Sequence, residues 1–432
     1  MLAQLNLLTM NEIAFLPQEW PGAHYYESEE IEAAVRVLRA RSPFRYYGLD
    51  PQFETSRLEA DFAGFIGASH CLAVASGTTA LQVALGALGV GPGDEVIMPG
   101  YFWVSTVGAV VRCGAVPVLA DSDATFGIDP DDLRRKITSR TKVVIAVYMG
   151  GVIGQIERIA DICRQNNILL LEDCAQAAGA SLNGKMAGSF GDMSIFSFQI
   201  NKNITAGEGG AVLTSNERLY DKARAMHDTG YIKDSGGQFI LDNPELQSWG
   251  IGCRMSDLTA AVVRAQLRKL PEITGAMRSM KYELRAILEQ YRELMLRWVP
   301  DPAGDSGGFL MVTLPDNAMA WSFKEALIAN GMVVDRYGFY PIHMEEWGLH
   351  MYFNVSSLVN KTPVWGRYSV WDLEENRFAR DYSYHRGSLP VLDDLVTRTV
   401  LTCVPSRLSE EQKNLMRQSV GGACRQLNFT KR

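Results

Sequence analysis

The sequence predicts an α/β protein built on a sheet with helices packed on its faces, and three observations carry that expectation. Residues 70–215 alternate short apolar runs with helix-patterned segments, as in strands joined by crossover helices. Several of these runs are apolar without alternation, which suits strands buried on both faces. The segments between them carry the residues that start and stop helices. At 432 residues, 47% hydrophobic and 21% charged, the chain can bury a large core and shows no sign of disorder or of a fibrous repeat.

Seven strands are expected, at residues 71–75, 95–99, 116–121, 143–149, 168–173, 194–198 and 211–214. After the first, residues 79–88 place Leu81, Leu85 and Leu88 on one stripe and stop at Gly89, ahead of the turn Pro92-Gly93-Asp94. Asp129-Pro130 supplies an N-cap and a first-turn proline to a helix through Leu133 and Ile137. Residues 155–165 turn Ile156, Ile159, Ala160 and Cys163 to one side. Past Pro271 the pattern becomes a long helix over 277–296, followed by mixed elements at 309–314 and 321–329. Residues 1–270 are therefore expected to hold an N-terminal segment and a large domain, and residues 271–432 a smaller α+β C-terminal domain.

Composition narrows the function classes. A net charge of −7 leaves no broad basic surface for nucleic acid or anionic lipid. The apolar patch at residues 5–10 lacks a basic flank and is interrupted by Asn6, so it does not read as a signal peptide. No run approaches the ~18 apolar residues of a membrane span, and a soluble protein is expected. The seven cysteines share no metal or redox spacing and read as buried free thiols in a reducing cytosol, with no metal site.

The chemistry-bearing segments follow the strands. No G-x-G-x-x-G stands at a strand-to-helix turn, which removes the main support for dinucleotide binding. Gly179 to Lys185 has P-loop spacing, but Met186 replaces the magnesium-binding hydroxyl and Asn183-Gly184 reads as a hairpin turn. Ser76-Gly77-Thr78-Thr79 opens the first helix; by itself it reads first as an N-cap, and in context as a phosphate cradle. Tyr101-Phe102-Trp103 follows the second strand, and three consecutive aromatics cannot all face the core. The fifth strand ends in Glu172-Asp173, where a buried acid needs a cation or a helix to cap. Lys202 lies between the apolar strand ending Ser197-Phe198 and the turn Gly207-Glu208-Gly209-Gly210. An amine in such a partly apolar place has a depressed pKa and can bond an aldehyde.

In this order the segments resemble the DegT/StrS family of sugar aminotransferases. The matching blocks are Ser76-Gly77-Thr78 with Ala80-Leu81, Pro92-Gly93-Asp94-Glu95-Val96, Glu172-Asp173 with Gln176 and Gly179-Ala180, and Ser197-Phe198 with Lys202 and Gly207 to Gly210. The resemblance is closest over residues 30–270. It implies a fold-type-I transferase with a mainly parallel seven-stranded sheet and pyridoxal 5′-phosphate (PLP) as cofactor. In that reading Lys202 is the Schiff-base lysine, Asp173 the partner of the pyridine nitrogen and Gln176 the group beside the phenolic oxygen. Trp103 stacks on the ring, and Gly77, Thr78 and Ser197 contact the phosphate. A cytoplasmic homodimer is implied.

The implied reaction moves an amino group from L-glutamate or L-glutamine to a keto- or aldehydo-sugar, nucleotide-linked in the leading version, for polysaccharide or natural-product sugars. A cyclitol ketone or a sugar acid such as an oxidised octulosonate is the alternative acceptor. PLP sugar dehydratases share the fold but carry histidine in place of the lysine, and a non-catalytic PLP-binding regulator would have no need of the Asp173, Gln176 and Lys202 set. Two places depart from the family pattern. Gly252-Cys253 stands where many relatives have Asn-Tyr, whose Asn reaches the neighbouring subunit's cofactor phosphate. Tyr340-Pro341-Ile342-His343 and Ser388-Leu389-Pro390 echo family segments in unfamiliar surroundings, where acceptor choice is expected to be set.

Overall fold

A computed structural model describes residues 15–18, 20–234, 238–334 and 341–432. The apolar patch at residues 5–10 and Tyr340 lie outside the described residues. The main sheet has seven strands: β1 His70–Val74, β2 Glu95–Pro99, β3 Val116–Ala120, β4 Thr141–Val147, β5 Leu169–Asp173, β6 Met193–Ser197 and β7 Gly210–Thr214. All seven expected strands are present, each within two residues of the expected bounds. Their order is β1-β7-β6-β5-β4-β2-β3. Every pairing is parallel except those of β7, which runs antiparallel to both β1 and β6. Residues of β2, β3, β6 and β7 are buried throughout, which explains their unbroken apolar runs.

The crossover helices form where the punctuation places them. Gly77–Ala87 starts from Ser76, whose hydroxyl accepts from Thr79 N, and Pro130–Lys136 starts from Asp129, whose carboxylate accepts from Asp131 N. Asn183 and Gly184 both adopt left-handed φ at the tip of a small hairpin pairing Ser181–Leu182 with Lys185–Met186. That disposes of the P-loop spacing, since no helix follows it.

The region around Pro271 differs from expectation. One helix, Asp257–Leu288, runs through the proline without interruption, and the chain then forms strand β8 at Met295–Leu296 instead of remaining helical to 296. Proline in a helix interior costs about 3 kcal/mol. That cost is outweighed because the first half of the helix buries Ala260, Val263, Leu267 and Leu270, and the second half Ile273, Met277, Met280 and Leu284. Asp257 fixes the start, its carboxylate accepting from Glu54 N and from the amide and hydroxyl of Thr55.

A second sheet joins β8 to β9 Phe309–Thr313, β10 Ile342–His343 and β11 Thr399–Cys403 in the antiparallel order β8-β9-β11-β10. Between β10 and β11 the chain leaves this sheet and packs on the first one. The Tyr384 hydroxyl donates to Pro117 O at 2.7 Å, the Tyr382 hydroxyl to Glu95 Oε1 at 2.6 Å, and Asn376 Nδ2 to Gly114 O at 2.9 Å. We propose that the two units divide inside the shared helix near residue 270, and that residues 344–398 belong with the large one.

Glu172 and Asp173 show what strand alternation does at the end of β5, where neighbouring side chains take opposite faces. Glu172 is fully buried and accepts from the Tyr148 hydroxyl and from the amides of Gly188, Phe190 and Gly191, all at 2.6–2.8 Å. Burial raises its pKa above the usual carboxylate range, against those four bonds. Glu172→Ala strands all four donors, and we expect it to lower the unfolding free energy by about 3 kcal/mol, read by urea titration. A loss under about 1 kcal/mol would show that this network adds nothing to stability.

Candidate active site

A cavity of about 580 Å³ opens at the carboxyl ends of the parallel strands, where an open α/β sheet leaves a crevice between its loops. Gly77, Thr78, Trp103, Asp173, Gln176, Ser197 and Lys202 all line it. The residues singled out in the sequence thus come together from four loops.

The first loop presents the start of the Gly77–Ala87 helix. Ser76 is engaged in capping, and the Thr78 hydroxyl donates to Ser105 Oγ at 2.9 Å. The helix can approach β6 and β7 this closely only because of its glycines. A Cβ on Gly77 would lie 2.8 Å from Ser197 Cβ, and one on Gly210 2.6 Å from the Ser76 carbonyl. The positive end of the helix and the Ser197 side chain therefore share one corner of the cavity, suited to an anion.

Of the aromatic triplet, Tyr101 and Phe102 are buried and Trp103 faces the cavity. Trp103 packs against His350, ring centroids 4.8 Å apart, and His350 stacks on Trp347 at 4.2 Å. Burial among these rings and the nearby charge of Lys202 bring the His350 pKa down to about 4, against its hydrogen bond with Trp347 O. The imidazole is neutral at pH 7.

Asp173 is buried. Its Oδ2 accepts from the Thr106 hydroxyl at 2.8 Å and its Oδ1 from Ala175 N at 3.1 Å. Burial raises its pKa, while Thr106, Ala175 and the charge of Lys202 act the other way. Among the described residues no ion pair within 4 Å forms on this carboxylate, so the site contains a buried acid that a cation would complete. Gln176 is held by Gly150 N, which donates to its Oε1 at 2.8 Å. Lys202 lies in a turn after β6, its N–H donating to Gln199 O at 3.0 Å, with its side chain in the cavity wall.

Comparison with known proteins now has a site to refer to. The model of the DegT/DnrJ/EryC1/StrS aminotransferase family matches residues 27–362. The chain belongs to this family. Over 225 residues it is 39% identical to GDP-perosamine synthase of Vibrio cholerae, covering 52% of this chain and 59% of that one. Over 293 residues it is 36% identical to L-glutamine:2-deoxy-scyllo-inosose aminotransferase of Streptoalloteichus tenebrarius, covering 65% and 67%. The chain spans about three-fifths of the length of several curated relatives that it matches. Among solved structures, that of 3-amino-5-hydroxybenzoic acid synthase superposes with a TM-score of 0.74 at 26% identity, over 96% of this chain and 99% of that one. The fold is accordingly that of the fold-type-I PLP aminotransferases.

At the first departure from the family pattern Gly252 is exposed, and Cys253 is held by its backbone. Cys253 N donates to His227 O at 2.8 Å, its carbonyl accepts from Ala75 N at 2.7 Å, and the side chain is buried. Of the lining residues that the sequence does not single out, Thr106, Trp347 and His350 bear on the assigned ones. Thr106 follows Trp103 by three positions at the start of helix Val104–Arg112, a spacing that puts both on one face and could have signalled it. Trp347 and His350 had no local signal. They reach the cavity because Phe102 N donates to His350 O at 3.1 Å and Tyr352 N to Gly100 O at 3.0 Å, pairing two segments far apart in the chain.

Proposed function

We propose that this protein is an aminotransferase that moves an amino group from an amino-acid donor, L-glutamate or L-glutamine, to a carbonyl carbon of a sugar or cyclitol, with PLP bonded to Lys202. The observation that carries this reading is the convergence of the Lys202 amine, the Asp173 carboxylate and a helix N-terminus in one cavity at the strand ends. Of the two curated relatives above, one is named as a GDP-perosamine synthase and the other as an aminotransferase between L-glutamine and 2-deoxy-scyllo-inosose, which supports acceptors of these kinds.

The cavity fits the cofactor by its chemistry. The buried Asp173 carboxylate suits a protonated ring nitrogen, and the corner between Gly77, Thr78 and Ser197 suits a phosphate dianion. Trp103 offers a flat face, and Gln176 an amide to the phenolic oxygen. When bound, the cofactor supplies an aldehyde carbon for the travelling nitrogen and a ring that accepts electrons. Lys202 Nζ would take the proton from the donor's α-carbon and deliver it to the cofactor's aldehyde carbon, and the Asp173 carboxylate would favour positive charge at the ring nitrogen.

A homodimer belongs to the same reading. Tyr47, Leu49, Trp249 and Ile251 are exposed on two segments tied together where Arg254 lies over the Phe44 ring and Lys233 over that of Tyr46, a surface that a second copy would cover. A cytoplasmic location fits seven cysteines that form no disulfide, and no helix of the described residues is long and apolar enough to cross a membrane.

The test is spectroscopic. Protein reconstituted with PLP should show a visible absorbance band that L-glutamate or L-glutamine abolishes. Keto-sugars, free or nucleotide-linked, and cyclitol ketones should then be ranked by how fast they restore it. Absence of the band, or a band that no amino acid alters, would rule out this function.

A further inference from the structure

Arg297 follows β8 in the small sheet, yet its guanidinium lies inside the large unit. Its backbone is held from its own side: its N–H donates to Met311 O at 3.3 Å, and its carbonyl accepts from Arg285 Nη1 at 3.0 Å. The buried side chain donates from Nε to Thr125 O at 2.7 Å and from Nη1 to Met149 O at 2.8 Å. Among the described residues Arg297 forms no ion pair. Burial pulls its pKa down, while Tyr101, Asp305 and Asp123 act in the other direction. A buried cation without an ionic partner is costly, and besides the two carbonyls it meets only weaker partners, Met311 Sδ at 3.6 Å from Nη1 and the Phe126 ring at 5.9 Å.

One of those carbonyls has a particular position. Met149 C=O and Gly150 N–H belong to the same peptide group, which is planar, with oxygen and hydrogen pointing to opposite sides. The hydrogen side donates to Gln176 Oε1 at 2.8 Å. Arg297 therefore grips one edge of a rigid plate whose other edge orients a cavity residue. A carboxamide has a single acceptor oxygen, so a donor at Oε1 leaves its NH2 as the group offered elsewhere. The plate needs holding on its glycine flank, because Gly150, at a φ of +63°, has no Cβ to limit rotation there.

We propose that Arg297 is a positioning residue: by holding the Met149–Gly150 peptide it sets the Gln176 carboxamide with its NH2 toward the phenolic oxygen of the cofactor. The cofactor half of this statement rests on the function proposed above. The hold on the peptide does not.

Two measurements separate the halves. In the protein without PLP, hydrogen exchange at residues 149–151 should accelerate by about tenfold or more in Arg297→Met. Arg297→Lys keeps the charge but has one nitrogen for two carbonyls, and should give an intermediate rate; it also serves if the methionine variant does not fold. For PLP affinity, Arg297→Met and Gln176→Ala should each weaken binding about tenfold, and the double variant no more than Gln176→Ala alone, because both act through one contact. Wild-type exchange rates in Arg297→Met would overturn the hold. Additive losses in the double variant would overturn the route through Gln176. If wild type binds no PLP, the proposed function and the cofactor half fail together, and the exchange rates still decide whether Arg297 fixes the peptide.

Discussion

Lys202→Ala is expected to slow amino-group transfer by about four orders of magnitude while leaving the fold intact. In the proposed reaction one amine has two tasks, bonding the cofactor's aldehyde carbon and carrying a proton at the donor's α-carbon, and alanine can do neither. The fold should survive, because alanine keeps the backbone bonds of this position, in which Lys202 N donates to Gln199 O at 3.0 Å and Lys202 O accepts from Gly22 N at 3.1 Å. Single-turnover rates with L-glutamate or L-glutamine check the first claim and thermal melting the second. A variant that keeps transfer within tenfold of wild type would mean that another group performs the proton transfer.

Asp173→Asn is expected to reduce transfer by about three orders of magnitude without destabilising the protein in the absence of PLP. The two effects have one cause. The carboxylate is buried and, among the described residues, has no ion-pair partner within 4 Å, so burial raises its pKa and its charge is a cost until a cation arrives. Asparagine keeps the shape and the bond from Ala175 N, and the Thr106 hydroxyl can turn from donor to acceptor. What it cannot do is hold positive charge at the ring nitrogen. Rate and melting temperature, measured on the same preparation, test this together. A slow variant that also melts well below wild type would indicate structural damage, and undiminished transfer would remove Asp173 from the mechanism.

Much of this architecture was readable from residues 70–215, because a sheet buried on both faces leaves unbroken apolar runs and its crossover helices carry capping residues such as Ser76 and Asp129. The run of candidate residues was readable for a related reason, since each lies at the end of a strand or within a few residues after it. Pro271 misled the reading. Local propensity ends a helix there, but propensity is a few kcal/mol, and the apolar side chains buried along Asp257–Leu288 on both sides of the proline outweigh it. Trp347 and His350 were beyond reach because nothing near them in sequence reports a pairing with residues 100–102.

By itself the sequence determined the sheet, the family resemblance and the position of Lys202 between an apolar strand and a glycine-rich turn, all consequences of short-range pattern. Only the tertiary structure decided that Glu172 holds the backbone at residues 188–191, that Arg297 reaches across to the Met149–Gly150 peptide, and that Trp347 and His350 of the C-terminal half line the cavity. Those outcomes depend on burial and on contacts between distant segments. A hydrogen bond such as Arg297 to Met149 O is set by where two folded surfaces meet, and no local spacing encodes that.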